Sequence, residues 1–199
     1  MRLDRMRINQ KDYDSILFVH IPKTAGSSIS KILDEKNLDN WKREWPRHHD
    51  PYSYLEEANL VDERVFSFAV VRNPYTRTYS CYKQYNKTNQ TDISFAQYLD
   101  NIKQGKISTV SPLLHIPQSF YIMDQDDLQV ERLYKFENLK ELEDELGWEL
   151  GFYNVGNYVV ESYIEDYTDK EINMVQDFYS SDFINFGYSK DFNQTLEAR

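Results

Sequence analysis

The segment ILFVHIPKTAGSS, residues 16–28, decides the fold of this 199-residue chain. Residues 16–21 are apolar and rich in branched side chains, which is typical of a buried central strand in a parallel sheet. The polar residues after them predict a tight turn, and residues 26–33 have the apolar spacing of a helix that packs on a sheet. This order of strand, turn and helix predicts an anion-binding loop at the start of the helix.

The turn carries the groups that bind a phosphate. The first N–H groups of a helix have no intrahelical partner, and the positive end of the helix dipole lies there. Lys23 adds a mobile charge, Gly26 lets the backbone approach a ligand, and the neighbouring hydroxyls add donors. We therefore expect a phosphate to be held by Lys23, Thr24, Ala25, Gly26, Ser27 and Ser28.

A second apolar strand, Val65–Val71, leads directly into Arg72. Asn73 is a favoured N-cap and is followed by proline, so a helix is expected over residues 74–85, with Ser80 about two turns along. Ligands of open α/β sheets bind at the carboxyl ends of the strands, and an arginine there can bind a phosphate with two N–H groups. Arg72 is therefore a candidate for a second phosphate contact, with a surface ion pair as the alternative.

The rest of the chain continues this alternation. Helices are predicted over residues 52–60, 94–102, 138–146 and 168–179, and a strand over residues 132–136. The pattern favours one α/β domain with a parallel β-sheet flanked by helices. We expect a flexible N-terminal arm over residues 1–14, the domain over residues 15–190 and a short tail over residues 191–199.

These segments resemble the PAPS-dependent sulfotransferase family, in its carbohydrate (Golgi-type) and bacterial branches. FVHIPKTAGSS (residues 18–28) is similar to the 5′-phosphosulfate loop of that family, and FSFAVVRNPY (66–75) with SCY (80–82) to its 3′-phosphate motif. YKFENL (134–139) and DFINFGY (182–188) also fit. The resemblance implies a P-loop-like fold and an enzyme that takes a sulfonate group from 3′-phosphoadenosine-5′-phosphosulfate (PAPS) and releases the bisphosphate PAP.

The resemblance also implies residue roles. Lys23 would hold the bridging oxygen and the 5′-phosphate within the loop, and Arg72 and Ser80 would hold the 3′-phosphate. The family places a histidine base in the segment that matches residues 47–53, which makes His49 the first candidate and His48 the second. A pair of exposed loop histidines is the alternative reading, and the next candidates for the base are Glu44, Glu56 and Glu57.

The distribution of charged residues limits the classes of molecule that the protein can bind. Residues 1–90 carry 15 Lys and Arg against 12 Asp and Glu, whereas residues 91–199 carry 8 against 21. The net charge of −10 argues against general nucleic-acid binding, and the acidic second half disfavours a heavily sulfated polymer as acceptor. We expect a hydroxyl-bearing glycan, lipid or small molecule, with Trp41 and Trp45 as candidates for its platform. The oligomeric state is left open.

Other features narrow the class of protein. Lysine does not directly follow glycine as it does in the Walker A motif, and no metal-ligand spacing is present, so no metal is expected. Cys81, the one cysteine, is interpreted as a buried apolar residue. No signal or membrane-spanning pattern is present, which favours a cytoplasmic protein. An ATP-dependent phosphotransferase and a non-catalytic nucleotide-binding module remain alternatives.

Overall fold

The computed structural model describes residues 6–36, 49–107, 112–151 and 165–197. Its strands are β1 (Met6–Ile8), β2 (Lys11–Tyr13), β3 (Ser15–Val19), β4 (Val65–Val71), β5 (Met123–Asp124), β6 (Asp127–Leu128) and β7 (Arg132–Lys135). Its α-helices are α1 (Gly26–Glu35), α2 (Tyr52–Glu57), α3 (Pro74–Asn89), α4 (Phe95–Lys103), α5 (Ser119–Ile122), α6 (Leu139–Leu146), α7 (Asp169–Phe178), α8 (Ser180–Asn185) and α9 (Phe192–Glu197). The chain forms two compact units, Met1–Val71 with Phe120–Asn154, and Arg72–Ser119 with Val155–Arg199.

A parallel three-stranded sheet in the order β3-β4-β7 organises the first unit. Val19 lies opposite Ala69, and Val71 lies opposite Lys135, so the three strands run in the same direction and end at the same edge. From Phe66 to Val71 every residue of β4 is buried, as expected for a central strand covered on both faces. The predicted α/β fold with a parallel sheet flanked by helices is confirmed.

The core of the first unit forms between this sheet and its helices. α1 packs Ile29 and Leu33, both fully buried, into the cluster that contains Phe18 and Phe68. Leu142 of α6 belongs to the same cluster. Burial of each such side chain is worth about 1.5–3 kcal/mol, so this apolar contact fixes where α1 begins relative to β3.

The N-terminal residues differ from expectation. Within the predicted flexible arm over residues 1–14, β1 and β2 pair as an antiparallel hairpin. Ile8 and Tyr13 are 4% and 2% exposed and pack in the core of the first unit. The prediction of an arm is wrong for residues 6–13, because Ile8 and Tyr13 anchor a short hairpin in the core.

The second unit is helical and rich in aromatic residues. Tyr75 and Tyr79 of α3 are buried, and Tyr75 meets Tyr167 edge-on with 5.7 Å between ring centroids. Each hydroxyl has a partner: that of Tyr75 donates to the Lys190 carbonyl at 2.6 Å, and that of Tyr79 to Asp166 at 2.6 Å. Most of the described tyrosines of this unit therefore build its core.

The C-terminal segment contributes to the same core. The predicted tail over residues 191–199 contains α9, and 4.7 Å separates the ring centroids of Phe192 and Tyr167.

The other predicted helices and strands closely match those of the structure, with β4 at the expected residues and α3 longer than predicted by one turn. No helix of the described residues is both long and apolar enough to cross a bilayer.

Candidate functional site

The loop between β3 and α1 has an unusual backbone. Lys23 and Ala25 both lie in the left-handed region, with φ of 70° and 71°. Such conformations cost a non-glycine residue roughly 1–3 kcal/mol and concentrate at functional sites. Alternation of left-handed and other conformations turns successive N–H groups toward one concavity that binds anions. The sequence gives no signal for this conformation, since neither lysine nor alanine favours it.

Side chains around the loop complete its geometry. The Thr24 side chain is buried, and its hydroxyl donates to the Ile21 carbonyl at 2.9 Å. This hydrogen bond closes the turn and uses the hydroxyl proton. Thr24 can therefore donate to an anion through its backbone N–H but not through its hydroxyl. Ser28 is buried in the first turn of α1 and Ser27 is exposed. No acidic residue lies in that turn, which keeps the positive end of the helix dipole uncompensated by charge.

Gly26 is required by a neighbour rather than by its own torsion angle. A Cβ at Gly26 would lie 1.6 Å from Nε2 of His20, so the imidazole occupies the space beside the start of α1. The His20 ring also stacks on Phe18, with 5.4 Å between centroids. His20 therefore packs inside the predicted phosphate loop.

His49 lies against His20. The two rings are 4.3 Å apart between centroids, and Nδ1 of His49 is 2.7 Å from the His20 carbonyl oxygen. A carbonyl can only accept, so Nδ1 carries the proton and donates. In neutral His49 the lone pair is then on Nε2, the tautomer that a general base acting through Nε2 requires. The structure thus brings His49 to the β3–α1 loop.

The other residues predicted to act as the base or as the acceptor platform fall into two groups. Glu56 and Glu57 are exposed on α2. His48, Glu44, Trp41 and Trp45 lie outside the described residues.

In the second unit, hydrogen bonds hold both the backbone and the side chain of Arg72. Its Nε donates to the Thr76 hydroxyl at 3.0 Å, and that hydroxyl donates to the Asn73 carbonyl at 3.2 Å. Its own N–H donates to Oε1 of Gln118 at 2.8 Å, and its carbonyl accepts from Nε2 of Gln118 at 2.8 Å. Sequence reasoning missed Gln118, because a contact across 46 residues leaves no local pattern.

Two further polar residues of α3 are buried. Ser80 is 3% exposed and Arg77 is 1% exposed. Nη2 of Arg77 donates to the Leu114 carbonyl at 3.4 Å, a contact that braces α3 against the segment that contains Leu114. Cys81 is buried as predicted, and its thiol donates to the same carbonyl at 3.0 Å.

The described residues were also compared with the needs of a metal site and of a ligand cleft. Among residues 6–36, 49–107, 112–151 and 165–197, no group of three His, Cys, Asp or Glu residues is arranged to hold a metal ion. A cleft of about 340 Å³ in the first unit is lined in part by Lys11, Tyr52 and Glu131 and includes none of the predicted site residues.

Comparison with known proteins identifies the class. Residues 6–108, just over half of the chain, match the sulfotransferase family. The chain belongs to this family, whose members transfer sulfonyl groups, and it is accordingly a transferase. The match includes the β3–α1 loop, His49, Arg72 and Ser80. We found no match among curated proteins or among solved structures.

Proposed function

We propose that this protein transfers a sulfonate group from PAPS to a hydroxyl group of a carbohydrate or another small acceptor. The observation that carries the proposal is the β3–α1 loop, in which left-handed Lys23 and Ala25 precede the start of α1. This backbone suits the 5′-phosphate end of the donor, because its N–H groups and the helix dipole favour an anion.

The donor would be bound at both phosphates. Lys23 and the N–H groups of residues 24–28 would hold the 5′-phosphate, and Arg72 with Ser80 would hold the 3′-phosphate. These assignments rest on the family resemblance and on the fixed geometry of the loop and of Arg72. A bisphosphorylated adenosine is then the ligand class that uses every predicted group.

The chemical step is an in-line displacement at sulfur. The acceptor oxygen forms a bond to sulfur while the bond between sulfur and the bridging oxygen of PAPS breaks. His49 would take the acceptor proton on Nε2, since Nδ1 donates to the His20 carbonyl. Lys23 would neutralise the charge that develops on the leaving phosphate, an electrostatic contribution fixed in advance by the loop.

The first test measures donor class by thermal unfolding. PAP should raise the Tm far more than ATP with Mg²⁺, because only PAP offers a 3′-phosphate to Arg72. A larger shift with ATP and Mg²⁺ would favour the phosphotransferase alternative and overturn the proposal.

The second test measures activity. Candidate neutral glycans, lipids and small alcohols are incubated with PAPS, and mass spectrometry is used to find a gain of one SO₃ group. A protein that binds PAP but modifies no acceptor would fit the non-catalytic alternative.

The third test separates the adjacent histidines. His49→Ala should keep PAP binding and lose about 10²–10⁴-fold in rate, the usual contribution of a general base. His48→Ala is the matched control and should retain most of the rate. The reverse result would assign the base to His48, and unchanged turnover in both variants would remove both residues from the mechanism.

A further inference from the structure

We propose that Gln118 is a positioning residue that sets selectivity for the 3′-phosphate of the donor by fixing Arg72. The inference rests on the proposed function, in which Arg72 binds that phosphate. Gln118 itself need not touch the donor.

The side-chain amide of Gln118 makes the two hydrogen bonds to the Arg72 backbone that a neighbouring strand would otherwise make. It accepts from the Arg72 N–H and donates to the Arg72 carbonyl, both at 2.8 Å. Arg72 follows directly after the last residue of β4, where regular strand pairing stops. A two-point contact of this kind fixes the peptide groups on both sides of the Arg72 Cα, and therefore the direction in which its side chain leaves the backbone.

Gln118 is itself held by a buried carboxylate. Its N–H donates to Oδ2 of Asp182 at 2.8 Å, and the N–H of Ser119 donates to Oδ1 at 2.8 Å. Nε2 of Gln118 also lies 3.3 Å from Oδ2. Gln118 and Asp182 are both 0% exposed, so water does not compete for these contacts. In such surroundings a fully bonded network is rigid, and loss of one member leaves other polar groups unpaired.

The far side of Arg72 is fixed as well. Because its Nε donates to the Thr76 hydroxyl, the plane of the guanidinium group is set relative to α3. Backbone and side chain are thus both held before a ligand arrives, which lowers the entropy lost when the terminal N–H groups bind a phosphate. Selectivity for a 3′-phosphate then depends on Gln118 as well as on Arg72.

The test compares the Kd of PAP with the Kd of AMP, which lacks the 3′-phosphate, by calorimetry. In the unmodified protein PAP should bind more tightly. Gln118→Met keeps the length of the side chain and removes the amide, and it should reduce the PAP preference by about tenfold, the loss expected for one charge-assisted contact. If that variant does not fold, Gln118→Asn, which keeps an amide and shortens its reach toward Arg72 by one methylene group, is measured in the same way.

The control removes a different hydrogen bond at the same junction. The hydroxyls of Ser119 and Ser181 are 2.8 Å apart, and Ser181→Ala should lower stability without changing the PAP preference. If a Gln118 variant binds PAP and AMP more weakly by the same factor, the role of Gln118 is purely structural. That result would overturn the inference. Equal binding of PAP and AMP by the unmodified protein would instead count against the proposed function.

Discussion

The connections from β3 to α1 and from β4 to α3 are both proposed to bind a phosphate, and different contacts give them their shape. The first spans residues 20–25 and takes its shape from left-handed backbone at Lys23 and Ala25. The second has only Arg72 and Asn73 between strand and helix, and side-chain hydrogen bonds shape it. We propose that backbone N–H groups bind an anion in the first connection, whereas in the second a single guanidinium group, held by Thr76, would do so. We therefore expect substitutions in the two connections to affect different measurements.

The largest effect is expected at the charge of the first connection. Lys23→Ala should abolish measurable turnover, with a loss of at least about 10²–10³-fold, because a donor to the developing charge is removed. Single-turnover rates with PAPS measure this effect. Lys31→Ala, which removes an exposed lysine of α1 paired with Glu35 at 3.7 Å, is the matched control and should keep the rate. Comparable rates in the two variants would contradict the role of Lys23.

A steric change in the same connection should act on donor binding. Gly26→Ala places a methyl group where the His20 imidazole lies, so the loop must shift, and the affinity for PAP should fall by about tenfold or more. Adding His20→Ala removes the clash and should restore part of the Tm and of the affinity.

Gly105→Asn is a control for this pair. Nothing lies within 4 Å of a Cβ at Gly105, and asparagine tolerates its φ of 63°, so PAP binding should not change. A Gly26→Ala protein with normal PAP affinity would show that the loop geometry is not required.

In the second connection, loss of a cap should act on stability. Oδ1 of Asn73 accepts from the Tyr75 N–H at 3.0 Å, and Asn73→Ala should lower the free energy of unfolding by about 1 kcal/mol. Chemical denaturation measures this change. Ser94→Ala removes the equivalent contact at the exposed start of α4, where Oγ accepts from the Gln97 N–H at 3.2 Å, and should cost no more. A neutral Asn73→Ala would show that Pro74 alone starts α3.

The smallest effect concerns pH. Burial, and next the charge of Arg77, lower the pKa of His115 below its ordinary value of 6.5. The neutral form is therefore favoured in the folded protein, and its contribution to stability is complete above pH 6.5 and is lost as the pH falls below that value. The Tm should drop between pH 7.5 and 5.5 by more in the unmodified protein than in His115→Gln. Parallel pH profiles would contradict this linkage.

Sequence patterns captured what is local in the second connection. The apolar run of β4 and the Asn73 cap both depend on neighbours within a few residues, and the structure contains both. Capping and strand propensity are short-range effects, so they can be read without the fold.

Contacts that depend on the fold were not predicted. The left-handed torsion at Lys23 has no signal in the sequence, and the Gln118 contact with Arg72 forms only once residues 46 apart meet. The contact of His49 with the His20 carbonyl likewise joins residues 29 apart. Sequence therefore proposed His49 through the family resemblance and gave no information on its tautomer.

The torsion angle of Lys23 has an evolutionary consequence. Glycine adopts that conformation without steric cost, so Lys23→Gly should relieve roughly 1–2 kcal/mol of backbone strain while removing the charge. Selection of a random library for heat resistance alone should then enrich glycine at position 23, and selection for turnover should restore lysine. At this one residue, selection for thermal stability and selection for catalytic activity would favour different amino acids.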